Sequence, residues 1–139
     1  MEAVLEMTRP PSRRAVAAKR VAAVVAGAVL AIVLCTGTDK GLESLGVYPP
    51  LSQPTAFSTP LLLLATLYRQ VYGVLGAYVT ARLAPDRPMG HVLVLGALGF
   101  VANVLGTVAG WSYGAHWYPM LLAALAIPCA WLGGVLGRR

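Results

Sequence analysis

In the stretch LLLLATLYRQVYGVLGAYVTARL, residues 61–83, Arg69 is a charge set deep inside an apolar segment, with Tyr68 and Tyr72 close by. A guanidinium stays protonated and offers only donors, so its chemistry is recognition. It can clamp acceptors on neighbouring helices, hold an anionic substrate, lipid headgroup or carboxylate, or meet a partner subunit. Near a bilayer midplane an arginine costs about 2.5–3.5 kcal/mol to insert, and an unpaired buried charge is more costly still. Arg69 must therefore face the protein interior and be given acceptors.

Helical spacing offers a candidate acceptor. Arg69, Gly73, Gly76 and Thr80 recur at intervals of four, three and four, with Ala77 beside them. A second stripe, Gly96, Gly99, Asn103, Gly106 and Gly110, lies in the next apolar segment, and Gly106–Gly110 is a GxxxG motif of the kind that lets helix backbones approach. If the two segments fold back about a turn near Asp86, residues equidistant from it meet: Gly76 with Gly96, Gly73 with Gly99, and Arg69 with Asn103. This predicts an intramembrane polar cluster of Arg69, Asn103, Tyr68 and Tyr72, with Gly73, Gly76, Gly96, Gly99, Gly106 and Gly110 as helix-packing positions. Pro128, which cannot donate to the Ala124 carbonyl, leaves that oxygen as a further acceptor. Asp39 and Glu43 are the natural counter-charges. They lie about ten or more residues beyond the first span's centre, on the order of 15 Å at 1.5 Å per residue, so no direct salt bridge to Arg69 is expected.

The remaining chemistry-bearing residues are sparse. His91 and His116 fall at opposite faces of the membrane and cannot share a metal, and Cys35 and Cys129 sit singly within apolar segments without a CxxC or zinc spacing. No metal site and no cofactor are expected. No Ser/His/Asp set, carboxylate pair or phosphate-cradling loop is present, so the chain reads as non-enzymatic. Arg82 and Arg87, in ARLAPDRP, are placed to meet anionic lipid headgroups at the membrane surface.

These residues must be positioned by membrane helices. The chain has 139 residues, 58% hydrophobic and 12% charged, against about 25% charged in soluble domains. The net charge of +6 comes from basic residues that flank apolar segments, which speaks for membrane orientation and against nucleic acid. Four spans are predicted, at about 15–37, 58–83, 91–111 and 117–136, after a basic segment at 1–20 and before a basic tail at 137–139. The first is read as an uncleaved helix, because no small-x-small cleavage site follows it. Arg9, Arg13, Arg14, Lys19 and Arg20 precede the first span, Arg82 and Arg87 flank the second turn, and Arg138 and Arg139 close the chain, whereas the other two loops hold only Lys40. The positive-inside rule then puts both termini in the cytoplasm. Trp111, Tyr113, Trp117 and Tyr118 form an aromatic belt at the opposite face. The expected fold class is an all-α integral membrane four-helix bundle.

The stretches YRQVYGVLGAYVTARLAPDRPMGHVLVLGALG and HWYPMLLAALAIPCAWLGG, together with TDK and VYPP after the first span, resemble a family of small, uncharacterised bacterial inner-membrane proteins. The resemblance covers most of residues 36–136. It implies the fold and a bacterial inner-membrane location, and no activity. The leading expectation for function is an accessory or scaffold subunit of a larger membrane assembly. A small oligomeric transporter or channel using Arg69 and Asn103, and a lipid-binding or envelope-stress protein, are the alternatives. Membrane lipids and either a larger complex or a homo-oligomer are the expected partners.

Overall fold

A computed structural model describes residues 1–138; Arg139, part of the predicted basic tail, lies outside the described residues. The chain is helical, with no strand among the described residues. A short helix α1 (Glu2–Met7) precedes Pro10-Pro11, where the missing amide hydrogens break it off. Helix α2 (Arg13–Ser44) starts where the Ser12 side chain accepts from the Ala15 amide at 3.2 Å. Helix α3 (Thr59–Leu83) carries a proline in its first turn and stops one residue before Pro85. Helix α4 (Pro88–Ala109) again begins on proline, and α5 (Trp117–Gly137) runs through Pro128. Four of these helices, α2 to α5, are long and apolar enough to cross a membrane. The protein is a multi-pass membrane four-helix bundle.

Its packing is the reverse of a soluble core. Most buried positions are small, among them Ala23, Ala65, Ala77, Ala81, Ala123 and Ala130, with Tyr48 and Leu122 the larger exceptions, and Val92 and Thr80 are the largest fully buried side chains. The large apolar side chains, such as Leu67, Leu105 and Val108, point outward. With hydrocarbon outside there is no gain in hiding leucine, and close backbone approach between helices provides the cohesion instead.

The glycines show which helices approach. A Cβ on Gly76 of α3 would fall 2.6 Å from the Gly27 carbonyl oxygen of α2. One on Gly137 of α5 would fall 2.7 Å from the Tyr78 carbonyl oxygen of α3, and one on Gly133 would overlap that of Val74. Gly96 and Gly134 are closed by α4–α5 contacts with Ala130 and Val92. Residues advance together along α3 and α5, so these two are parallel and form the tightest side of the bundle. Helix α2 packs on α3 and α4 on α5, and α2 and α4 meet along a side where they touch only sparsely.

Both turns of the sequence argument about α3 and α4 are therefore revised. Gly76 and Gly96 do not face each other; each meets a different helix. Gly73 and Gly106 would accept a Cβ with nothing within 4 Å, Gly99 is in ordinary contact with Ala126, and Gly110 abuts its own helix end and Tyr113. A turn at Asp86 constrains depth, but depth does not decide which face of a helix turns to which neighbour. At that turn Arg87 takes a left-handed backbone with φ 40°, and Arg20 of α2 grips Asp86 through both carboxylate oxygens, with Nε at 2.9 Å from Oδ1. The bundle thus has a turn end, with residues 84–87, the start of α2 and the end of α5, and a long-loop end, with residues 45–58 and 110–116.

Candidate functional site: the Asp39–Arg69 cluster

The predicted first span ends near residue 37, but the helix continues to Ser44, which puts Asp39 on α2 rather than in a loop. The α2–α3 register is set by Thr80, whose hydroxyl donates to the Ala23 carbonyl at 3.0 Å, and by the Gly27–Gly76 contact. Continued along both helices, that register brings Arg69 level with Leu34, so Asp39 is only about 7 Å higher. An arginine spans this gap because helical side chains lean toward their own N-terminus, and in α3 that direction is the long-loop end. Arg69 Nη2 donates to Asp39 Oδ2 at 2.5 Å. This ion pair replaces the expected partner: Asn103 spends its amide hydrogen on the Gly99 carbonyl of its own helix at 2.7 Å.

A hydroxyl chain completes the cluster. Tyr68 donates to Asp39 Oδ1, and Tyr48 donates to the Tyr68 oxygen at 3.0 Å. Tyr72 and Thr38 exchange a hydrogen bond at 2.8 Å one turn away. Tyr48 comes from the loop after α2, which folds back onto the bundle. Its amide bonds the Leu42 carbonyl, Glu43 accepts from the Leu51 amide at 3.1 Å, and the Tyr48 ring packs edge-on to Phe57. Burial raises the Tyr48 phenol above its ordinary value, so its proton is held for the chain. The Arg69 and Asp39 side chains are 32% and 15% exposed. Arg69 Nε is buried without a hydrogen-bond partner.

Two cavities meet at Arg69. One, of about 510 Å³, lies at the long-loop end and is lined by Asp39, Tyr48, Tyr113, His116 and Tyr118 among others. The second, of about 360 Å³, lies deeper among all four spanning helices and is mostly apolar, with Cys35 and Cys129 on its wall. Arg69, Ala102, Asn103 and Leu122 line both. Each volume is within the range of small-molecule sites, about 300–1,000 Å³.

Of the expected polar residues, Tyr68 bonds the ion pair directly, Tyr72 borders it, and Asn103 faces the cavities without bonding Arg69. Gly73 and Gly99 line the inner cavity and Gly106 the outer one. Arg82 and Arg87 are exposed at the turn end; Arg82 Nε donates to the Tyr78 hydroxyl at 3.2 Å. His91 Nδ1 lies 3.1 Å from the Arg87 carbonyl, and His116 stacks on Trp111. Among the described residues no three His, Cys, Asp or Glu side chains converge on a metal position. The members that sequence reasoning placed outside the cluster are Asp39, Thr38, Tyr48 and Tyr118. The TDK and VYPP motifs already contained the first three. A comparison with protein-family models finds no match, and neither does one with curated proteins or one with solved structures.

Proposed function

We propose that this chain is a non-enzymatic carrier of the bacterial inner membrane, with both termini cytoplasmic, that holds a small ligand at Arg69 between the two cavities. The observation that carries the reading is the placement of Arg69: a half-buried guanidinium with an unpartnered donor, paired with Asp39 where an outer and an inner cavity meet. The orientation rests on the basic residues gathered at the turn end, and the bacterial inner membrane on the motif resemblance. Gly106 of α4, which lines the outer cavity with no other helix in reach, is better suited to a cavity wall than to a scaffold's mating face.

The natural cysteines provide the test. Purified Cys129→Ser protein in lipid nanodiscs is treated with a charged, membrane-impermeant methanethiosulfonate, which modifies Cys35 only if water connects the cavities. Cys35 is expected to react slowly, and faster once Asp39→Asn opens the ion pair. Reaction only after unfolding refutes the carrier. So does gentle extraction of the chain in fixed ratio with other polypeptides, which would make it a subunit.

A further inference from the structure

The inner cavity has a sideways mouth. Ile32 of α2 and Leu98 of α4 line it, yet they are 63% and 55% exposed on the outside of the bundle. They sit on α2 and α4, two neighbouring helices that touch only sparsely. A slot between these helices faces the hydrocarbon of the bilayer. Its walls are apolar, with Ala28, Ala31, Leu95 and Ala126, and it ends at Arg69.

Charge at that end is already balanced, because Asp39 neutralises Arg69. Among the described residues no second Lys or Arg lines either cavity. Tyr68, Gln70 and Tyr72 lie beside the pair on α3, Tyr48 comes from the loop, Tyr118 from α5 and Cys35 from α2, His116 lines the outer cavity, and α4 contributes Asn103 and Thr107. Lys40 is engaged by Glu43. A second anion at Arg69 would leave one uncompensated negative charge in a medium of low dielectric constant, a large penalty. What Arg69 retains is donor capacity, because Nη2 alone bonds Asp39 and Nη1, which is not closed in as Nε is, has no hydrogen bond; a neutral carbonyl oxygen satisfies a donor without adding charge.

We propose that the site takes a neutral amphiphile, its ester- or ketone-type carbonyl on Arg69 and its apolar chain in the α2–α4 slot, entering sideways from the bilayer. This rests on the carrier reading above and names its ligand class.

The experiment is protection of Cys35 and Cys129 from membrane-permeant N-ethylmaleimide, in nanodiscs of ether lipid, which lacks ester carbonyls. A monoacylglycerol added to the disc is expected to protect both cysteines. The matching alkylglycerol ether and the matching fatty-acid anion should each protect at least about tenfold more weakly. Asp39→Asn, which leaves the site one net positive charge, should reverse the preference toward the fatty acid. Leu98→Trp, at the mouth, should slow protection even if Asp39→Asn fails to fold. Equal or better protection of the wild type by the anion or by the ether overturns the proposal, as does protection by none of them. The two readings fail separately: loss of amphiphile protection with Cys35 still reached by the aqueous reagent removes only the ligand class. Protection with no aqueous access removes the water-connected carrier.

Discussion

Removal of one member of the Asp39–Arg69 pair is predicted to destabilise the bundle far more than removal of both. In Asp39→Asn the guanidinium loses its only recorded acceptor and the Tyr68 hydroxyl loses a charged one. Breaking a buried pair from one side costs about 3–5 kcal/mol, and the partial exposure of Arg69, 32%, brings the expectation to the low end, about 3 kcal/mol. Arg69→Gln leaves the carboxylate still held by Tyr68 and should cost about 2 kcal/mol. The double variant Asp39→Asn/Arg69→Gln removes both charges, with their desolvation cost, and is expected within about 1 kcal/mol of the wild type. The coupling, about 4 kcal/mol from these values, is read by equilibrium unfolding in mixed micelles. Asn103→Ala is the control. Its amide bonds its own helix, so its effect should be about 0.5–1 kcal/mol and add to that of Arg69→Gln within about 0.5 kcal/mol. Additive effects for Asp39 and Arg69, or strong coupling of Arg69 to Asn103, would refute the pairing on which the site is built.

Further outcomes follow from the helix contacts and the turn. Gly76→Ala and Gly133→Ala should each destabilise by about 1–3 kcal/mol, because the added methyl meets carbonyl oxygen of a neighbouring helix. Gly106→Ala, with nothing in reach and a glycine removed from the last turn of α4, should stabilise by about 0.5 kcal/mol; the same unfolding assay compares all three. At the turn end, hydrogen bonding to Arg20, with its charge second, holds the Asp86 carboxyl below its ordinary value of 3.8. A lowered folded value adds stability above the unfolded value, which is lost as pH falls through the folded one. The stability difference between wild type and Arg20→Gln should therefore be constant near neutrality and shrink below about pH 4. A difference that grows with acid would contradict the assignment.

The fold was legible because apolar length and flanking charge are local properties. Prolines 10, 60, 85 and 88 mark where helices stop and start, and α3, α4 and α5 lie within a few residues of the expected spans. The partner of Arg69 was not legible, for two physical reasons. TGTDKGLES reads as a polar connection by composition, since threonine, aspartate and glycine are poor helix formers. Yet the helix continues through it, held by the α2–α3 contact at Thr38–Tyr72 and the Asp39–Arg69 pair, as tertiary packing commonly overrides propensity. The second reason is that a turn fixes depth but not facing. Gly73, Gly99 and Gly106 carry the spacing of a packing stripe, and only the folded arrangement of the four helices reveals that they border cavities instead.

The packing also explains why an ion pair and an apolar slot occur together. Close packing of α3 on α5 requires small residues at Ala77, Ala81, Gly133 and Gly137, while α2 and α4 touch each other only sparsely. The space left between them would strand any free charge on α3 in hydrocarbon. Asp39 can remove that charge only because α2 extends past the predicted span, up to Ser44. Neutralisation then leaves Arg69 as a directional donor at the closed end of a mostly apolar slot, a different object from the free cation that its sequence context suggests. An arginine kept only as a packing clamp has no need of cavities on both sides. The pair of cavities meeting at a satisfied charge is what a binding site for an uncharged, acceptor-bearing molecule requires.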